Sequence, residues 1–97
     1  MTAAEVLRRA ADIIEERGWT RGVYERHGRV CADAALRLAG GASIAHVVAG
    51  RDVGYGEAPR ALSAAVGDIS KWNDRQPSRQ RVTAKLREVA DSLEAAS

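Results

Sequence analysis

Apolar positions recur with a helical period from the start of the chain. Val6, Leu7, Ala10, Ile13 and Ile14 share one face, while Arg8, Asp12, Glu15 and Glu16 fall on the other. That is the signature of an amphipathic helix laid on a core. Thr2-Ala3-Ala4-Glu5 has capping-box spacing, in which the Thr2 hydroxyl closes the first turn and Glu5 reaches back. Gly18 follows Arg17, so the helix is expected to end in a left-handed cap, with Arg17 set against the C-terminal dipole. The period then breaks. Val23-Tyr24 and Arg29-Val30 flank Glu25-Arg26-His27-Gly28, which reads as a turn between two short extended pieces and predicts a small hairpin at 23–30. Two such strands are marginal alone and must lean on helices.

From Cys31 to Ala39 nearly every residue is apolar, with Asp33 and Arg37 at i,i+4. This predicts a mostly buried helix with that pair on its one outward face, stopped by Gly40-Gly41. Ser43 is placed to cap a short helix through Ala49, closed by Gly50. Arg51 to Glu57 reads as a loop because of its glycines. Pro59 suits the first turn of a following helix, whose stripe is Leu62, Ala65, Val66, Ile69 and Trp72 and whose end is Asn73-Asp74. Ser78 caps a last helix with a core face of Val82, Leu86, Val89, Ala90 and Leu93. The expected fold is all-α or mainly α: a compact bundle of four to five short helices in a single small globular domain, 1–97.

Composition narrows this picture. The chain has 97 residues, 45% hydrophobic, with 15 basic against 13 acidic residues and no Phe. Ordinary apolar content and a small net charge exclude a disordered tail. A core without Phe must be built from aliphatic residues, many alanines and two Trp, which implies closely packed helices. The longest uncharged run, Leu38 to Gly50, is too short to span a bilayer, and no signal-peptide pattern opens the chain. A lone Cys excludes an intramolecular disulfide framework. Together these predict a soluble, reduced, cytoplasmic protein with no membrane partner.

Candidate chemistry is sparse. His27, Cys31 and His46 are three N/S candidates, one short of a structural zinc site, and Cys31 reads better as a small buried hydrophobe with His27 in a turn. A Cys31 nucleophile would need an exposed, activated thiol, whereas its predicted helix is buried. Gly50, Gly54 and Gly56 fit neither phosphate-binding nor dinucleotide-binding spacing. No cofactor, metal or catalytic residue is therefore assigned, and a non-enzymatic protein is expected.

Between Lys71 and Arg87 stand Lys71, Arg75, Arg79, Arg81, Lys85 and Arg87, opposed only by Asp74. Arg79 and Arg81 fall in a first helical turn, where the macrodipole disfavours cations. The functional reading is a contact surface of Arg75, Arg79, Arg81 and Lys85 for an acidic protein partner, with nucleic acid binding through segment 71–87 as the alternative. The ordinary reading is a solvated face in which Arg87 pairs with Asp91 and Lys85 with Glu88. Only Trp72 is near enough to stack on a single strand. Trp19 and Trp72, at helix rims, are expected to plug the bundle ends. Asn73 suits a left-handed cap, and Asp74 an acceptor for backbone N–H groups or an Arg. An Ala-rich helix face leaves a homo-oligomer open.

Gly18-Trp19-Thr20-Arg21-Gly22-Val23-Tyr24, then Gly28-Arg29-Val30-Cys31-Ala32, then Trp72-Asn73-Asp74 before a last helix form a familiar order. It resembles a family of small proteins of unknown function from actinobacteria and their phages, with a GW-x-x-G-x-Y segment, a Cys-Ala helix start and a Trp-Asn-Asp. On that resemblance Trp19, Gly22, Tyr24, Cys31, Trp72, Asn73 and Asp74 are the motif residues. Asp33 and Ala34 stand where the pattern has a hydrophobic residue and a Gly. The resemblance implies size and source and no established activity; a phage-encoded member would be expected to bind a host protein.

Overall fold

In the computed structural model, which describes residues 1–49 and 56–96, the capping box forms as its sequence requires. The Thr2 hydroxyl accepts from the Glu5 N–H at 3.1 Å, and the Glu5 carboxylate accepts from the Thr2 N–H at 3.2 Å. It opens α1 (Ala3–Arg17), whose buried face is Ala4, Leu7, Ala10, Ala11, Ile13 and Ile14. At Gly18 the backbone turns with φ +96° and ψ 168°, so φ is positive as expected but ψ is extended, which sends the chain off as a strand-like segment. Trp19 then makes an isolated parallel bridge to Val30.

The expected hairpin is present, with its first strand shifted by two residues. Strands β1 (Glu25–Arg26) and β2 (Arg29–Val30) pair antiparallel, Glu25 opposite Val30 and Arg26 opposite Arg29. His27 and Gly28 form the connection with φ of +52° and +85°, the doubly positive turn that suits the twist of a two-residue hairpin. Both are turn residues, as expected of His27, which is exposed.

Helix α2 (Ala32–Ala39) is buried on nearly every side, and α3 (Ile44–Val48) starts at its Ser43 cap. One expectation is corrected here. Asp33 and Arg37 do pair, Oδ1 to Nε at 3.2 Å, but only about 7% of either side chain is exposed. The Arg37 guanidinium lies 5.5 Å from the centre of the Tyr24 ring, just before β1, so the face expected to meet solvent is buried.

A second correction concerns the stretch after Gly56. Glu57 already belongs to α4 (Glu57–Val66), and the single helix expected through Trp72 is two. Gly67, with φ +83°, closes α4, and Asp68 caps α5 (Ile69–Arg75) by accepting from the Lys71 N–H at 3.0 Å. Of the expected stripe, Leu62 and Ile69 are buried, Val66 and Trp72 are half-buried, and Ala65 is exposed. Asn73 and Asp74 lie inside α5 and do not end it; Asn73 has no left-handed cap role. There are thus six α-helices among the described residues. Gly50 and 51–55, including Gly54 of the glycine loop, lie outside them.

Helix α6 (Arg79–Ala96) packs along α1, which in turn carries α2. The core between them holds fully buried Leu7, Ile14, Leu36, Leu62 and Leu86, each side chain contributing about 1.5–3 kcal/mol by leaving water. Buried alanines Ala10, Ala11, Ala32, Ala34 and Ala35 let the helices approach closely, as a core without Phe demands. None of the described helices is long and apolar enough to cross a membrane.

Candidate functional site

Asn73 is the point where the segments singled out in the sequence meet. Its side-chain carbonyl accepts from the Trp19 indole N–H at 2.8 Å and from the Ala32 N–H at 3.0 Å. Its amide donates to the Thr20 carbonyl and to Asp74 Oδ1, both at 3.2 Å. Two acceptor sites and two donors are the whole capacity of an Asn side chain, and Asn73 is fully buried. The residue therefore ties the strand after α1 and the start of α2 to α5.

Asp74 continues the tie by accepting from the Gly22 N–H at 2.9 Å, one of the two roles expected of it. Trp19 is half-buried and carries the Arg21 guanidinium 5.2 Å from its ring centre. Trp72 is also half-buried, packed on the core. Both Trp thus close the bundle rim, as expected, and Trp19 has the polar handle that a rim position needs.

Cys31 caps α2, its sulfur accepting from the Ala34 N–H at 3.4 Å. Burial pushes its thiol up to about 11, against the smaller opposing effect of that N–H. A thiol so placed stays protonated at neutral pH and is a poor nucleophile. Among the described residues no three His, Cys, Asp or Glu side chains cluster as metal ligands would.

Five of the seven motif residues also wall one pocket of about 480 Å³. Gly22, Tyr24, Cys31, Asn73 and Asp74 line it together with Val23, Glu25, Val48 and Ser70. Val23 and Val48 are 40% and 58% exposed, two of the three large hydrophobic side chains that stand out into solvent among the described residues. Sequence reasoning missed Val23, Glu25, Val48 and Ser70 as site residues. Val23 had a signal, being inside the Gly22-to-Tyr24 segment; Val48 had none, because an apolar residue in a short, mostly apolar helix reads as core.

The basic segment does not form one patch. Arg87 does not pair with Asp91: its guanidinium reaches across to α1, 3.1 Å from Asp12 and 2.9 Å from Glu15, while Asp91 and Glu94 are taken by Arg8. Lys85 does pair with Glu88, at 2.8 Å. Arg81 and Arg87 project from opposite flanks of the buried stripe Val82, Leu86 and Val89, as six residues of helix dictate. Arg75, Arg79 and Arg81 are exposed, with no ion pair among the described residues.

Comparison with curated proteins and with solved structures gives no match. The model of a family of unknown function, DUF6197, matches residues 1–92, a span that contains the pocket and every segment building it, and the chain belongs to that family.

Proposed function

We propose that this is a non-enzymatic protein-interaction domain that acts by occupying a surface of a partner protein. The observation that carries the reading is the exposure of Val23 and Val48 at a pocket walled by Gly22, Tyr24, Cys31, Asn73 and Asp74. Exposed apolar side chains grouped on a small domain mark interaction sites more often than isolated ones do. Two of the polar side chains there are committed to the fold: Asn73 to four hydrogen bonds, Cys31 to capping α2. Exposed Arg75 on α5 and Arg79 and Arg81 on α6, with Lys85 one turn beyond Arg81, offer further cations to an acidic stretch of the same partner. Likeness to small proteins of actinobacteria and their phages supports a host protein as that partner, met in the cytoplasm.

The test is capture from a nuclease-treated actinobacterial lysate with the tagged chain, V48D and the double variant R79E/R81E. Val48 is exposed, so V48D should fold normally. One protein held near stoichiometry by the wild type and lost with V48D supports the reading. Equal capture by V48D overturns it.

The second reading, nucleic acid binding, is favoured by the three unpaired arginines at the end of α5 and the start of α6. It predicts retention on nucleic acid that falls steeply with salt and disappears with R79E/R81E. Recovery of a partner only when nuclease is omitted would establish it.

A further inference from the structure

The pocket wall is chemically one-sided. Among the described residues its charged groups are two carboxylates, Glu25 and Asp74, with no Lys or Arg beside them in the lining, although the whole chain carries a net charge of +2. Each carboxylate is held by the backbone through one oxygen. Glu25 Oε2 accepts from the Gly28 N–H at 2.9 Å, and Asp74 Oδ1 from the Gly22 N–H at 2.9 Å and from Asn73. The other oxygen of each, Glu25 Oε1 and Asp74 Oδ2, has no protein partner among the described residues. Two fixed carboxylates, each with a spare acceptor, thus share a recess with the apolar walls of Val23, Tyr24 and Val48.

A ligand complementary to this site has an apolar stem and a planar cationic head with several donors. We propose that the pocket seats an arginine side chain presented by a partner protein, its methylenes against Val23 and Val48 and its guanidinium bridging Glu25 and Asp74. Arginine fits better than lysine because its rigid fork reaches two separate acceptors and is less strongly hydrated than an ammonium. The pocket volume lies within the usual range for ligand sites, so a side chain with its neighbouring backbone fits. This inference deepens the protein-interaction reading and rests on it.

The direct test titrates the isotopically labelled full chain with N-acetyl-arginine methylamide, followed by amide NMR, beside the citrulline counterpart, which has the same shape and no charge. Saturable shifts are expected at Gly22, Glu25, Ser70 and Asp74. Citrulline and the double variant E25Q/D74N should each bind about tenfold more weakly or worse, the loss expected for a charge-assisted hydrogen bond. Both substitutions keep an oxygen acceptor for the Gly28 and Gly22 N–H groups, and an unchanged urea midpoint checks the fold. Absence of shifts at tens of millimolar ligand, shifts away from the pocket, or equal binding of citrulline overturns the proposal. Lysate capture separates the two levels of the argument. A partner lost with V48D but still held by E25Q/D74N rejects the arginine seat and leaves the interaction reading intact. Pocket shifts that need the charge, with no protein captured, reject the interaction reading and show a cation site that serves another ligand.

Discussion

The Trp19 indole donates to the Asn73 side-chain carbonyl at 2.8 Å, across 54 positions of sequence. This bond and the three others on Asn73 fix the strand after α1, and with it the wall of the pocket, to α5. Replacing Asn73 by Ala leaves the Trp19 and Ala32 N–H groups and the Thr20 carbonyl without that partner. Each buried group so stranded costs about 1–3 kcal/mol, and N73A is expected to lose about 3 kcal/mol or more. Urea denaturation reads this as a lower midpoint at constant slope. Trp19→Phe should cost about 1 kcal/mol. The double variant should lose less than the sum, because both changes remove the same bond. Simple additivity would show that the bond carries no coupling.

Asn73 also shows where sequence reading stops. The capping box and stripe of α1 are local patterns, so its start, end and buried face were legible from neighbouring residues. Asn73 sits in a polar run, and its partners at Trp19, Thr20 and Ala32 lie 41 to 54 positions away. Nothing local distinguishes such a hub from a helix-ending Asn. The break at Gly67 was hidden by Leu62, Val66 and Ile69, whose helical spacing runs straight across it. For Asp33 and Arg37 the spacing gave the pair and not its side, since i,i+4 geometry is the same in solvent or under a Tyr24 ring. Motif resemblance marked most of the pocket wall, while Val48 reached it through packing alone.

Gly18 tests the turn that delivers Trp19. Its φ of +96° is strained for any side chain, and an added Cβ would stand 3.0 Å from Arg29 Cγ. Gly18→Ala should therefore destabilise by about 1–3 kcal/mol. Adding Arg29→Ala should recover only a minor part, because the contact is with a flexible side chain and the backbone conformation remains. Full recovery in a thermal melt would assign the penalty to the clash and not to φ.

Cys31 gives a chemical readout of the same region. With its thiol pushed up to about 11 by burial, alkylation by iodoacetamide at pH 8 should be far slower in the native chain than in urea. The sign of the linkage is set by a folded-state value above the unfolded one. Stability from this group is full below the unfolded thiol pKa of about 8.5 and declines as pH rises towards 11. Cys31→Ala should flatten that alkaline decline. Native labelling as fast as in urea would mean that the α2 start is open to solvent.

The α1–α6 seam makes the opposite prediction in acid. The Arg87 guanidinium, between Asp12 and Glu15, holds the Glu15 carboxyl below its ordinary value of 4.5. A depressed carboxylate contributes stability that is present above the unfolded pKa and lost as pH falls through the folded one. The wild type should therefore weaken as pH drops below 4.5, and Arg87→Met, which keeps the apolar stem and removes the charge, should weaken less steeply. Glu5, also depressed by its capping-box bonds to Thr2, is present in both proteins and subtracts out. Because these ions are exposed, molar salt should bring the two acid slopes together. Urea midpoints at several pH values between neutral and strongly acid, with and without salt, measure both slopes. If they coincide at low salt, the Arg87 pairs have no share in acid sensitivity, and the ionic part of the seam rests on Arg8 with Asp91 and Glu94.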